Sequence, residues 1–67
     1  MTIQDLMDQV EVQGYVIVKV IREDGLIDAV CGVEAYEIPE EYREKEIHYI
    51  YSTMDNGVDC LVIEVDE

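Results

Sequence analysis

Basic residues are scarce in this chain. Only four of its 67 residues are Lys or Arg, against 17 Asp and Glu, which leaves a formal charge of −13 with histidine neutral. A field of that sign repels DNA, RNA and anionic membranes and attracts basic surfaces. It also opposes compaction, because folding brings like charges together. No basic patch interleaved with aromatics is present, which further disfavours direct nucleic-acid binding. Long apolar runs are missing too, and no stretch could span a membrane. The opening MTIQDLMDQ carries acids where a secretion signal would carry bases and then an apolar run. The expected location is therefore cytoplasmic.

The residues of common catalytic and metal-binding motifs are equally sparse. There are two cysteines and one histidine, and no Cys-x-x-Cys pair to build a structural zinc site. The sequence has no GxSxG elbow, no nucleophilic cysteine with an evident histidine partner, no Walker loop, no GxGxxG and no EF-hand pattern. A domain this small also offers little room for a pocket of ~300 Å3 or more. These absences point to a protein that is not an enzyme and needs no cofactor or metal.

What remains is an ordinary globular composition. The apolar fraction of 49% is too high for a disordered acidic tail. Much of it is Val and Ile, which favour strands. Residues 1–67 make one domain with one small core, of a size that buries only ~60% of the surface its unfolded chain exposes.

Periodicity supplies the elements. Residues 2–11 read as a helix, with Ile3, Leu6, Met7 and Val10 on one stripe, Thr2 as N-cap and Asp5 completing an imperfect capping box. Gly14 can end that segment. Residues 15–22 read as a strand, Asp24-Gly25 as a tight turn and 26–33 as the return strand, pairing Val20 with Ala29, Val18 with Cys31 and Val16 with Val33. Residues 34–46 form an acidic connector, in which Pro39 suits the start of a short helix with Glu40 and Glu41 in its first turn. Residues 47–54 and 58–65 read as two more strands around Asn56-Gly57. That turn pairs Ile50 with Ile63, Ser52 with Leu61, His48 with Val65, Tyr51 with Val62, Tyr49 with Glu64 and Thr53 with Cys60.

The expected fold is α+β: an N-terminal helix packed on a four-stranded antiparallel sheet built of two hairpins, with a short helical turn in the connector. Strand order stays open, since the 13-residue connector could cross over. The expected core is Ile3, Leu6, Met7, Val10, Val16, Val18, Val20, Ile27, Ala29, Cys31, Val33, Ile50, Leu61, Ile63 and Val65. In this register Cys31 and Cys60 lie on opposite sides of the sheet, so both are expected as free thiols, with Cys31 in the core. His48 falls on the core side as a semi-buried, satisfied histidine.

Two surfaces could carry function. The outer sheet face would display Tyr15, Ile17, Ile21, Val30, Tyr49, Tyr51 and Val62, an apolar patch that either forms a homodimer interface through Tyr15, Ile17, Tyr49, Tyr51 and Val62 or is covered by the connector through Tyr36 or Tyr42. The other surface is the acid itself. Glu37, Glu40, Glu41 and Glu44 would share a face if the connector is helical, and carboxylates on a rigid scaffold can stand where phosphates of a duplex would stand. Such a surface would compete with DNA for a basic groove, less strongly as salt rises.

The stretch TIQDLMDQVEVQGYVIVKV resembles the start of small acidic bacteriophage inhibitors, including anti-CRISPR proteins that block the DNA-binding groove of a CRISPR nuclease. The stretch IPEEYREKEIHYIYSTMDNGVDCLVIEV resembles small proteins of phage and conjugative elements of Gram-positive bacteria. The first resemblance implies a DNA mimic, and the second implies a mobile-element origin more than an activity. Together with the charge, they favour a non-catalytic acidic interaction domain, a regulator or inhibitor that engages a basic protein surface, such as that of a nucleic-acid-binding enzyme. The alternative is a structural homodimer whose acidity serves solubility.

Overall fold

A computed structural model describes residues 1–67. The chain runs through α1 (Ile3–Gln9), β1 (Tyr15–Arg22), β2 (Gly25–Glu34), a single 3-10 turn (Ala35–Glu37), α2 (Glu40–Arg43), β3 (Ile47–Asp55) and β4 (Val58–Asp66). The four strands form one sheet in the order β2-β1-β4-β3. Adjacent strands β1 and β2, and β3 and β4, pair antiparallel, but β1 and β4 pair parallel in the middle. The sheet is therefore mixed, not antiparallel throughout as the sequence led us to expect.

The connector explains the parallel pair. Ala35 and Ile38 are buried with Ile3 against Val16, Val18, Val20, Ile63 and Val65, and Tyr42 packs against the same cluster. Burying each Val or Ile side chain contributes about 1.5–3 kcal/mol. The connector is thus pinned across the face that α1 covers. It leaves β2 at one edge and starts β3 at the other, and β4 then returns beside β1. The two strands richest in Val and Ile occupy the centre, where both neighbours shield them.

Helix α1 starts as its sequence directs. The Thr2 hydroxyl accepts from the Asp5 N–H at 3.1 Å, and the Asp5 carboxylate accepts from the Thr2 N–H at 3.0 Å. These bonds hold the Asp5 carboxyl below its usual range. The helix is one turn shorter than its apolar stripe implies. Val10 is its C-cap in extended backbone and is exposed, so it drops out of the core.

The β3–β4 register follows the sequence closely. Asn56 (φ 52°) and Gly57 (φ 80°) form the tight turn, and Tyr49↔Glu64, Ile50↔Ile63, Tyr51↔Val62, Ser52↔Leu61 and Thr53↔Cys60 pair as expected. His48 does not pair with Val65. Ile47 takes that place, and the extra residue bulges outward. His48 is exposed instead of lying on the core side, with Nε2 2.6 Å from Asp66 Oδ1. Ile50, although opposite buried Ile63, is 43% exposed because β3 is an edge strand.

The β1–β2 register departs further. The turn residues are Glu23 and Asp24, with Gly25 opening β2 opposite Arg22, so Val20 faces Ile27 instead of Ala29. Two bulges in β2 then each absorb one residue, the first beside Ala29 and the second beside Cys31 and Gly32. Gly32 has φ +64°, the left-handed conformation that one common bulge type needs. After both bulges the expected Val16↔Val33 pair is restored. In between, Val18 faces Val30, not Cys31, and Cys31 is exposed instead of in the core. Ile27 is exposed as well.

Candidate functional site

The connector glutamates stand on two short pieces. Glu40 and Glu41 open α2, and Glu44 is its C-cap. Glu37 closes the 3-10 turn, where its carboxylate accepts from the Glu34 N–H at 3.1 Å. Ile38, buried in extended backbone before Pro39, separates the two pieces, so one continuous helical face does not form. All four glutamates are exposed, and none takes part in an ion pair. Close by, the Tyr36 phenol is held above its usual range by a hydrogen bond to Glu34, with Glu34 and Glu37 charges adding to the effect.

Few cations oppose this acid. Lys19 Nζ lies 3.7 Å from Asp28, Arg22 Nε lies 3.1 Å from Glu67, and Arg43 Nη1 donates to Gln4 Oε1 at 3.3 Å. From Glu46 to Glu67 there is no Lys or Arg at all. Apart from His48, which meets Asp66, every charge on the side chains of the β3–β4 half is thus acidic.

The outer sheet face is uncovered, because Tyr42 packs into the core on the other side and Tyr36 is 74% exposed. Ile17, Cys60 and Val62 form a small second cluster there, each below a tenth exposed. Tyr15, Tyr49 and Tyr51 are exposed. Of the five residues expected to form the interface, only these three offer surface to a partner, and Val30, expected on this face, packs against the helix-side core because it follows the first β2 bulge. Glu64 is buried among them, with the Tyr51 hydroxyl donating to its carboxylate. That bond raises the Tyr51 phenol above its usual range, since ionising it would set two negative oxygens side by side.

Edge residues from β2 and β3 line one shallow groove of about 210 Å3 on this face, with Cys31 and Asp28 on one side and Thr53 and Met54 on the other. Cys31 and Cys60 are both free thiols. Two larger clefts, of about 400 and 430 Å3, lie elsewhere. Both are open surface clefts that exceed the ~300 Å3 for which a chain this short was expected to offer little room. The first is lined by Glu11, Glu34 and Tyr36 near the end of α1. The second brings Arg22 and Lys45 together with Asp28, Glu41 and Glu67 between α2 and β2. Neither contains a histidine or a cysteine. No group of three or more His, Cys, Asp or Glu side chains is placed to hold a metal ion. No helix is long and apolar enough to cross a membrane.

These features define an acidic α+β domain whose connector packs with its helix on one face of a mixed four-stranded sheet. No family model, no curated protein and no solved structure matches this chain.

Proposed function

We propose that this protein is a non-catalytic acidic interaction domain that regulates or inhibits a partner by engaging its basic surface. The observation that carries this reading is the set of exposed connector carboxylates that no ion pair engages: Glu37, Glu40, Glu41 and Glu44. These glutamates stay unpaired although Arg43 and Lys45 lie in the same connector, and a docking surface gains on-rate and specificity from carboxylates left free to meet a partner's cations. A basic nucleic-acid-binding groove is the partner chemistry that suits such a surface best.

The test is capture of proteins from an extract of the source cell, comparing the native domain with a variant carrying Glu→Lys at these four positions. Native bait is expected to retain a basic protein at low salt and release it at high salt, and the reversed bait to lose it. Equal retention by both baits would remove the basis of the reading.

A second reading is favoured by the exposure of Tyr15, Tyr49 and Tyr51 on an uncovered sheet face. Two copies stacked through that face would form a homodimer, with acidity serving solubility. That dimer should sediment at twice the monomer mass, and Tyr49→Glu should split it. A single monomeric species at high concentration would dispose of it.

A further inference from the structure

The two edges of the sheet are protected to different degrees. Edge strands expose unpaired N–H and C=O groups, and proteins normally blunt them with bulges, Pro, Lys or covering segments. On β2 that protection is present: two bulges, Gly32 in the left-handed conformation, and Asp28 midway along. On β3 it is nearly absent. Residues 49–54 are Tyr, Ile, Tyr, Ser, Thr and Met, with no charge, no proline and no glycine, and all are exposed. Only the start of β3 is covered, where the Ile47 N–H donates to the Met1 carbonyl at 2.8 Å and Thr2 bridges Glu46.

The register shows which backbone groups are free. A two-residue turn makes Asp55↔Val58 a hydrogen-bonded pair, and alternation then directs Thr53, Tyr51 and Tyr49 toward β4. Ile50, Ser52 and Met54 therefore point their N–H and C=O groups away from the sheet. No other backbone segment bonds to them. A row of unpaired groups on a strand of β-favouring residues is what an added strand pairs with.

Charge indicates what that strand is. A second copy of the chain would bring another −13 to the contact and be repelled. At one end of the edge Asp55 and Asp59 leave acid unpaired, while at the other Glu46 is already paired with the N-terminal ammonium of Met1, and no Lys or Arg lies between Glu46 and Glu67. We infer that β3 accepts an extended segment of a basic partner protein as a fifth strand, with β-favouring residues at its centre and Lys or Arg at the end that meets Asp55 and Asp59. This goes beyond the connector surface. It rests on that reading only for the positive sign of the partner, and its contacts are chiefly backbone ones.

A suitable probe is an acetylated nine-residue peptide of alternating Val and Thr with Lys at both ends, titrated into the full chain and followed by amide hydrogen exchange. The Ile50, Ser52 and Met54 amides should gain at least about tenfold protection, with no change along β2. A peptide with Glu at both ends should give none. Ser52→Pro removes an N–H that the fold does not use, so the variant should fold and bind the Lys-ended peptide at least about tenfold more weakly. Ser52→Lys, which keeps the N–H but adds a like charge for the probe, should weaken it similarly. Should Ser52→Pro fail to fold, the protection pattern of the native chain and the Ser52→Lys variant decide alone. Protection along β2, no protection anywhere, or free protein already dimeric with its β3 amides protected would each overturn the proposal. Since Ser52→Pro leaves all carboxylates in place, failure here with connector reversals still abolishing partner capture would sink the edge alone.

Discussion

β2 and β3 are both outer strands, yet they met the demands of the sheet in different ways. β2 carries Gly32 and two bulges, and its side chains leave the alternation that its sequence implies. β3 carries one bulge at His48, and from Tyr49 to Asp55 it keeps strict register with β4. The difference begins at the turns. Asn56 and Gly57 both take positive φ, the requirement of a type I′ turn, and both residue types tolerate it. In the other turn Gly25 stands after the two central residues, not within them, and the two residues of mismatch are taken up in β2. A strand that absorbs a register error becomes irregular and self-protecting, and a strand whose turn fits stays regular and open.

Ile50 and Ile63 give the largest test of this contrast, since they face each other across β3 and β4. Ile63 is fully buried and Ile50 is 43% exposed. Ile63→Ala should cost about 3 kcal/mol by urea denaturation, much of the stability of a domain this size, and Ile50→Ala under about 1 kcal/mol. Comparable losses would mean that the β3 edge is covered in solution.

Gly57 and Gly32 compare the turn with the bulge. Both hold positive φ with open space where a Cβ would stand, so the cost of alanine is backbone strain alone. Gly57→Ala and Gly32→Ala should each cost about 1–2 kcal/mol. A Gly32→Ala variant of unchanged stability would show that the second bulge is not needed for the fold.

The smallest effect is a titration. The folded Tyr51 phenol is held above its ordinary value by Glu64, so the native state favours its protonated form. Its contribution to stability is fully present below the unfolded phenol value. It is lost as pH rises through the folded value. Tyr36 is raised as well, so ultraviolet titration should show two late-ionising phenols, of which one moves to lower pH in Glu64→Gln. No movement would mean the bond is not made.

How much of this was legible in the sequence depended on whether a pattern was local. The capping box of Thr2 and Asp5, the Asn56-Gly57 turn and five pairs of β3 with β4 follow from short-range rules. The parallel meeting of β1 and β4 does not, because it depends on Ala35 and Ile38 crossing the helix-covered face, and in sequence they stood within an acidic connector. Cys31 and His48 were misplaced for a single reason. Each sits at a bulge, and one inserted residue turns a side chain to the opposite face. Glu37, Glu40, Glu41 and Glu44 were legible as exposed acid, but not the Ile38–Pro39 break that divides them. The open β3 edge was not visible before strand order was known, although the uncharged run from Tyr49 to Met54 was its available signal.

Charge-directed docking is most directly tested by the salt dependence of affinity for whatever basic partner the native domain captures. Screening shortens the reach of exposed charges from roughly 10 Å at ~0.1 M salt to about 3 Å at ~1 M. Over that range the dissociation constant should rise at least about tenfold, and the rise should flatten when Glu37, Glu40, Glu41 and Glu44 are replaced by Gln. An affinity that does not change with salt, for native and substituted chains alike, would contradict the account.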